Sequence, residues 1–150
     1  MDIQGTLNWS RDIGKAMARL VLNEKAIGET YTLATSEHHT WREFADMYSE
    51  LIGMKYVTCD DEKFLQIFDE NKDWARWRLY YDREFNRAID NSKLLRDTGL
   101  KQDDFTPVKE ALRIELSALT DDLSWCRCDI GPISYEGINR RMDEYLKQYA

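Results

Sequence analysis

Four groups of residues in this 150-residue chain have types and spacings that could do chemistry. His38-His39 are adjacent imidazoles, able in principle to bind a metal or move a proton. Neighbouring side chains on a strand or loop point apart, so the pair chelates poorly, and the plainer reading is two solvated histidines in an exposed turn. Cys126-Arg-Cys128 offers two thiols at one end of a zinc site, but the second cysteine pair of a zinc ribbon is missing and 86 residues separate the thiols from the histidines. Trp74, Trp77, Tyr80 and Tyr81 interleave with Arg76, Arg78 and Arg83. Such a mixture stacks bases or sugars and holds phosphates. The alternative is a helix that packs Trp74, Trp77 and Tyr81 at helical spacing, so Trp77 is open to three roles: core, ligand shelf or interface. The carboxylate pairs Asp60-Asp61 and Asp121-Asp122 read as helix-start and turn residues rather than as a hydrolytic couple.

The usual signatures of catalysis are missing. The chain has no glycine-rich dinucleotide turn, no P-loop, no G-x-S-x-G and no H-E-x-x-H. No tyrosine is followed by a lysine four residues on. Cys59, Cys126 and Cys128 are too few and too uneven for a disulfide framework, and the first residues lack the basic and apolar regions of a secretory leader. Reduced thiols in a cytoplasmic protein are the expectation. On that expectation the Asn8-Trp9-Ser10 sequon carries no meaning. The formal charge of −7 disfavours nucleic acid as a partner. No apolar run reaches the length of a membrane span, so no membrane partner is expected. The apolar share of 43 % and the aromatic share of 12 % exclude a disordered composition. The length is that of one domain, residues 1–150.

The elements that must position these residues alternate between helical and strand-like segments. Apolar spacing predicts a helix over 11–24 with Ile13, Ala16, Met17, Leu20 and Val21 on one face. The alternating, Thr- and Tyr-bearing stretch 29–34 predicts a strand. Thr40-Trp41-Arg42-Glu43 has the form of a capping box for a helix that ends at Gly53. A short strand at 55–59 and a helix after Asp60-Asp61 follow. Asp90-Asn91-Ser92 caps a short helix ending at Gly99, Thr106-Pro107 opens another with proline at its first position, and a last helix starts near Tyr135. The expected class is α+β: helix-rich, with a few short strands.

Three stretches, in this order, resemble the extended short-chain dehydrogenases, the NAD-dependent epimerase/dehydratase family. Ser10-Arg11-Asp12-Ile13-Gly14-Lys15-Ala16 is similar to the start of a helix in that family. Ala26-Ile27-Gly28-Glu29-Thr30-Tyr31-Thr32-Leu33-Ala34, followed by Thr40-Trp41-Arg42-Glu43, resembles its "G-E-x-Y … T-W-x-E" segment. Phe85 to Leu94, with Asp90-Asn91-Ser92-Lys93, resembles its "D-N/A-S-K" segment, and Gly99 with 106–119 its closing helix. The resemblance is to the C-terminal half only. It implies the substrate-binding subdomain of a Rossmann-type enzyme, typically for nucleotide sugars, with the N-terminal Rossmann domain absent from this chain. The glycine-rich NAD or NADP loop and the catalytic Ser/Thr, Tyr and Lys belong to that other half and match nothing here. It follows that this chain should bind no cofactor and have no turnover by itself. The resemblance makes Arg83 or Arg87 the candidate contact for the substrate's diphosphate; Trp77, from the aromatic cluster, is the remaining substrate-binding candidate. Two further partners are implied, a Rossmann domain or a second copy of the chain, on the apolar face that a missing half would leave. The chain then corresponds either to a piece of a longer enzyme or to a reading frame that kept only this half.

Overall fold

The computed structural model describes residues 2–68, 72–119 and 135–149. Its elements are β1 (Gln4–Gly5), α1 (Ser10–Leu20), β2 (His39–Thr40), α2 (Trp41–Ile52), α3 (Asp61–Phe68), α4 (Lys72–Arg78), α5 (Ser92–Thr98), α6 (Val108–Ser117) and α7 (Tyr135–Leu146). The chain is mostly helical, with two short strands in one small sheet. The backbone divides into two compact units, Met1–Met54 with Asn86–Ala118, and Lys55–Phe85 with Leu119–Ala150.

In the first unit β1 and β2 pair antiparallel, Gln4 opposite Thr40 and Gly5 opposite His39. Gly5 is buried, and a Cβ there would lie 3.4 Å from Cζ2 of Trp41, so a residue without a side chain lets β1 lie against that indole. The strand runs straight into α2, whose start is the capping box foreseen above. Thr40 Oγ1 accepts from the Glu43 N–H at 3.1 Å, and Glu43 Oε2 accepts from the Thr40 N–H at 2.6 Å. Gly53 ends α2 in the left-handed region at φ 68°, where a Cβ would be penalised. The core of this unit is Ala16, Leu94, Leu100 and Phe105, with Leu20, Tyr31, Leu33 and Leu95 packed on it.

Three expectations need correction. The buried face of α1 holds Asp12 and Ala16, whereas Met17 and Val21 are 53 % and 68 % exposed. Neither 29–34 nor 55–59 is a strand. The alternation at 29–34 arises because Tyr31 and Leu33 lean on the core while the backbone bonds to side chains instead of a neighbouring strand. Lys93 Nζ donates to the Thr30 carbonyl at 3.1 Å and Asn91 Nδ2 to the Ala34 carbonyl at 2.8 Å. The Thr35 N–H donates to Asn8 Oδ1 at 2.8 Å. Finally, Pro107 takes the cap position of α6 rather than its first turn.

The second unit is built from α3, α4, α7 and the π turn Leu79–Arg83 that continues α4. Asp60 opens α3, its Oδ1 accepting from the Lys63 N–H at 2.8 Å. Leu65, Ala75 and Ile138 are buried. Phe64, Phe68 and Trp74 stack in series, with ring centroids 5.5 and 6.1 Å apart. Arg141 from α7 donates through Nε to the Ile67 carbonyl at 2.7 Å and through Nη2 to that of Phe68 at 3.3 Å, satisfying the C-terminal end of α3. Among the described residues no helix is long and apolar enough to cross a membrane.

Candidate functional site

The residues singled out from the sequence fall in different units. Trp77 and Arg83 belong to the second, Arg87 to the first. Trp74 is half-buried and stacks on Phe68, so it packs; Trp77 and Tyr81, four residues apart, are 62 % and 73 % exposed. The arginines of this segment divide their work. Arg78 lies over the Trp74 ring at 4.6 Å, Arg76 lies over Tyr80 at 5.7 Å and also pairs with Glu62 at 3.1 Å, and Arg83 pairs with Asp82 at 3.4 Å. Exposed pairs of this kind are worth ~0–1 kcal/mol.

Arg87 is held more firmly. Its backbone N–H donates to the Gln4 carbonyl at 3.0 Å, and its guanidinium lies 5.6 Å from the centroid of the Trp41 ring. A planar cation braced on an indole is a geometry that receives phosphate oxygens at its edge.

The histidines are not the solvated turn that the sequence suggests. Both are half-buried and bonded. His38 Nε2 accepts from the Ile89 N–H at 2.6 Å, which places the ring proton on Nδ1. His39 Nε2 lies 2.7 Å from Glu37 Oε1, and the other oxygen of Glu37 accepts from the Val108 N–H at 2.9 Å. Glu37 thus supplies from a distance the cap that Pro107 cannot provide for α6. Removing the His38 ring leaves the Ile89 N–H without its acceptor. His38→Ala should cost about 1–2 kcal/mol in thermal unfolding and speed amide exchange at Ile89. Unchanged exchange at Ile89 would refute that role.

Asp12 is the most buried carboxylate described, at 4 % exposure. Its Oδ2 accepts from the Thr106 N–H at 2.6 Å and its Oδ1 from Lys15 Nζ at 3.0 Å. Burial pushes its pKa up, but the Thr106 and Lys15 bonds outweigh that, and the net direction is below the ordinary carboxylate value. In the second unit burial and a hydrogen bond with Asp61 hold Glu84 above its ordinary value. Burial, with Asp60 and Asp61 nearby, raises the Cys59 thiol above its ordinary value. Among the described residues no three His, Cys, Asp or Glu side chains gather as a metal site. The Cys126-Arg-Cys128 and Asp121-Asp122 pairs lie outside the described residues.

Sequence reasoning missed a cavity of about 230 Å³ in the first unit. Its wall comes from the segment before α1, from α1, α2 and α6, and from the loop before α6, and it includes Trp9, Asp12, Tyr48, Phe105, Leu112 and Glu115. The Trp9 indole N–H donates to Glu115 Oε1 at 2.5 Å. No local pattern announces this cavity, because Trp9 and Glu115 are 106 residues apart. No family model, curated protein or solved structure matches the chain.

Proposed function

We propose that this chain is the substrate-binding portion of an NAD(P)-dependent oxidoreductase of the nucleotide-sugar epimerase/dehydratase kind, without turnover by itself. One observation carries the reading: the stretches that resemble that family are bonded to one another. Asp12 of the first stretch accepts from Thr106 of the last. Glu29 of the second pairs with Lys93 of the third at 2.5 Å, and Asn91 of the third donates to the Ala34 carbonyl of the second. Motif residues that hold one another in a single unit are what an inherited subdomain requires.

On this reading either Arg87 or Arg83 is the candidate diphosphate contact, and Trp77 is the candidate stacking surface for base or sugar. A nicotinamide cofactor would supply hydride transfer from the Rossmann half, and this chain's residues would bind and orient the substrate. The compartment that fits is the cytoplasm.

A thermal-shift panel of UDP-, GDP- and dTDP-sugars beside NAD and NADP tests the reading. A ligand that binds only the native state raises the melting temperature by mass action. One nucleotide sugar should raise it by several degrees, NAD and NADP should not, and Arg87→Ala or Arg83→Ala should abolish the shift. Flat responses to every nucleotide sugar would count against the proposal.

A second reading, a non-catalytic module that binds a protein or a copy of itself, is favoured by Val21, Leu22 and Ile27. They are 68 %, 99 % and 79 % exposed within one short stretch of the first unit. Sedimentation as a monomer at every concentration would remove self-association from that reading.

A further inference from the structure

We infer that the cavity of the first unit is a site for a small organic amine with a hydrocarbon body. The argument begins with the charges in its wall. Asp12 and Glu115 are there, and no lysine, arginine or histidine is. Two cations lie close by, Lys15 on Asp12 at 3.0 Å and Arg11 over the Trp9 ring at 4.7 Å, but neither belongs to the lining. A carboxylate or phosphate entering this space would face two carboxylates in the wall, with both cations outside the lining. An ammonium group meets the opposite situation.

The two carboxylates are not equivalent. Asp12 is buried and committed to Thr106 and Lys15. Glu115 is exposed and, among the described residues, holds the Trp9 indole N–H through one oxygen. Glu115 is therefore the carboxylate that meets the ammonium head. Trp9 and Tyr48 add aromatic side chains to the wall. The remaining wall, Phe105 and Leu112 among it, is hydrocarbon and suits an aliphatic tail. A volume of about 230 Å³ gives room for a small organic guest. The cavity is thus unsuited to an anionic nucleotide sugar, and the inference stands whether or not the proposed function holds.

The test is a titration followed by ¹H–¹⁵N correlation spectra, with 3-methylbutylamine as the probe. The alcohol 3-methylbutanol and the acid 3-methylbutanoate have the same carbon skeleton and serve as neutral and anionic comparators. The amine should shift the Trp9 indole resonance saturably, the alcohol should bind at least tenfold more weakly, and the acid should not bind. Glu115→Gln keeps an acceptor for the Trp9 N–H while removing the charge, so it should fold with an unchanged circular dichroism spectrum. It should lower amine affinity at least tenfold, to the level of the alcohol. Equal binding of alcohol and amine, binding of the acid, no saturable binding of the amine, or amine affinity unchanged in Glu115→Gln would each overturn the assignment. A nucleotide-sugar thermal shift should be indifferent to Glu115→Gln, which keeps the two proposals separable.

Discussion

Leu94→Ala should destabilise the protein by about 3 kcal/mol, the middle of the range for emptying a leucine site in a core. Leu94 is 1 % exposed and is the largest fully buried side chain of the cluster that also holds Ala16, Leu100 and Phe105. Ala16 comes from α1, Leu94 from α5, and Leu100 and Phe105 from the segment between α5 and α6. None of these neighbours can refill the gap by a simple rotation, because Ala16 has no χ angle and Leu100 and Phe105 are themselves buried. Urea titrations followed by circular dichroism would measure the loss. Leu94→Met, which conserves volume, should cost under about 1.5 kcal/mol. A Leu94→Ala loss of under 1 kcal/mol would mean that the cluster is loosely packed and is not the centre of this unit.

Asp12→Ala should cost a similar amount, about 2–4 kcal/mol, by a different route. It leaves the Thr106 N–H without an acceptor in a half-buried place and strips Lys15 of its carboxylate partner, leaving it the Asp104 carbonyl. The loss should depend on pH. The folded-state pKa of Asp12 lies below its unfolded value, so the unfolded chain binds the proton more readily. Stability from this carboxylate is therefore fully present above the unfolded value of about 3.9 and is lost as pH falls through the lower folded value. Asp12→Asn keeps an oxygen for Thr106 and removes the charge. Its stability should follow wild type in shape at neutral pH, from a lower level, and fall less steeply below pH ~4. Parallel acid limbs for the two proteins would show that the charge of Asp12 contributes nothing to folding.

The parts of the fold legible in the sequence are those held by contacts a few residues long. The Thr40–Glu43 box, the left-handed caps at Gly53 and Gly99 and the acidic start of α3 each depend on residues within one turn. The stretch 29–34 misled because its polar backbone is satisfied by Asn91 and Lys93, some 60 residues later. Local alternation of apolar and polar residues carries no information about that. His38 misled for the same reason, since its partner is the Ile89 N–H. Trp77 was legible as an aromatic of uncertain duty, and its exposure follows from neighbours that only the folded α3 and α4 supply: Phe68 takes Trp74 and leaves Trp77 outward. Arg83 and Arg87 are four residues apart in the chain, yet the boundary between the units runs between them. No proline- or glycine-rich linker marks that boundary, because the chain crosses it without changing composition.

The interleaving of the two units has a consequence for biosynthesis. Each is assembled from two separated pieces, Met1–Met54 with Asn86–Ala118 and Lys55–Phe85 with Leu119–Ala150. The helix that opens the first unit cannot bury Ala16 until Leu94, Leu100 and Phe105 have been translated. A nascent chain stalled before α5 therefore exposes that unfinished core, and closing the loop between its pieces adds an entropic cost that grows only slowly with loop length. The first unit reaches completion near Ala118, and a stop codon just beyond it should release that unit with its core closed, whereas a stop anywhere before α6 should release a chain for chaperones and proteases to handle.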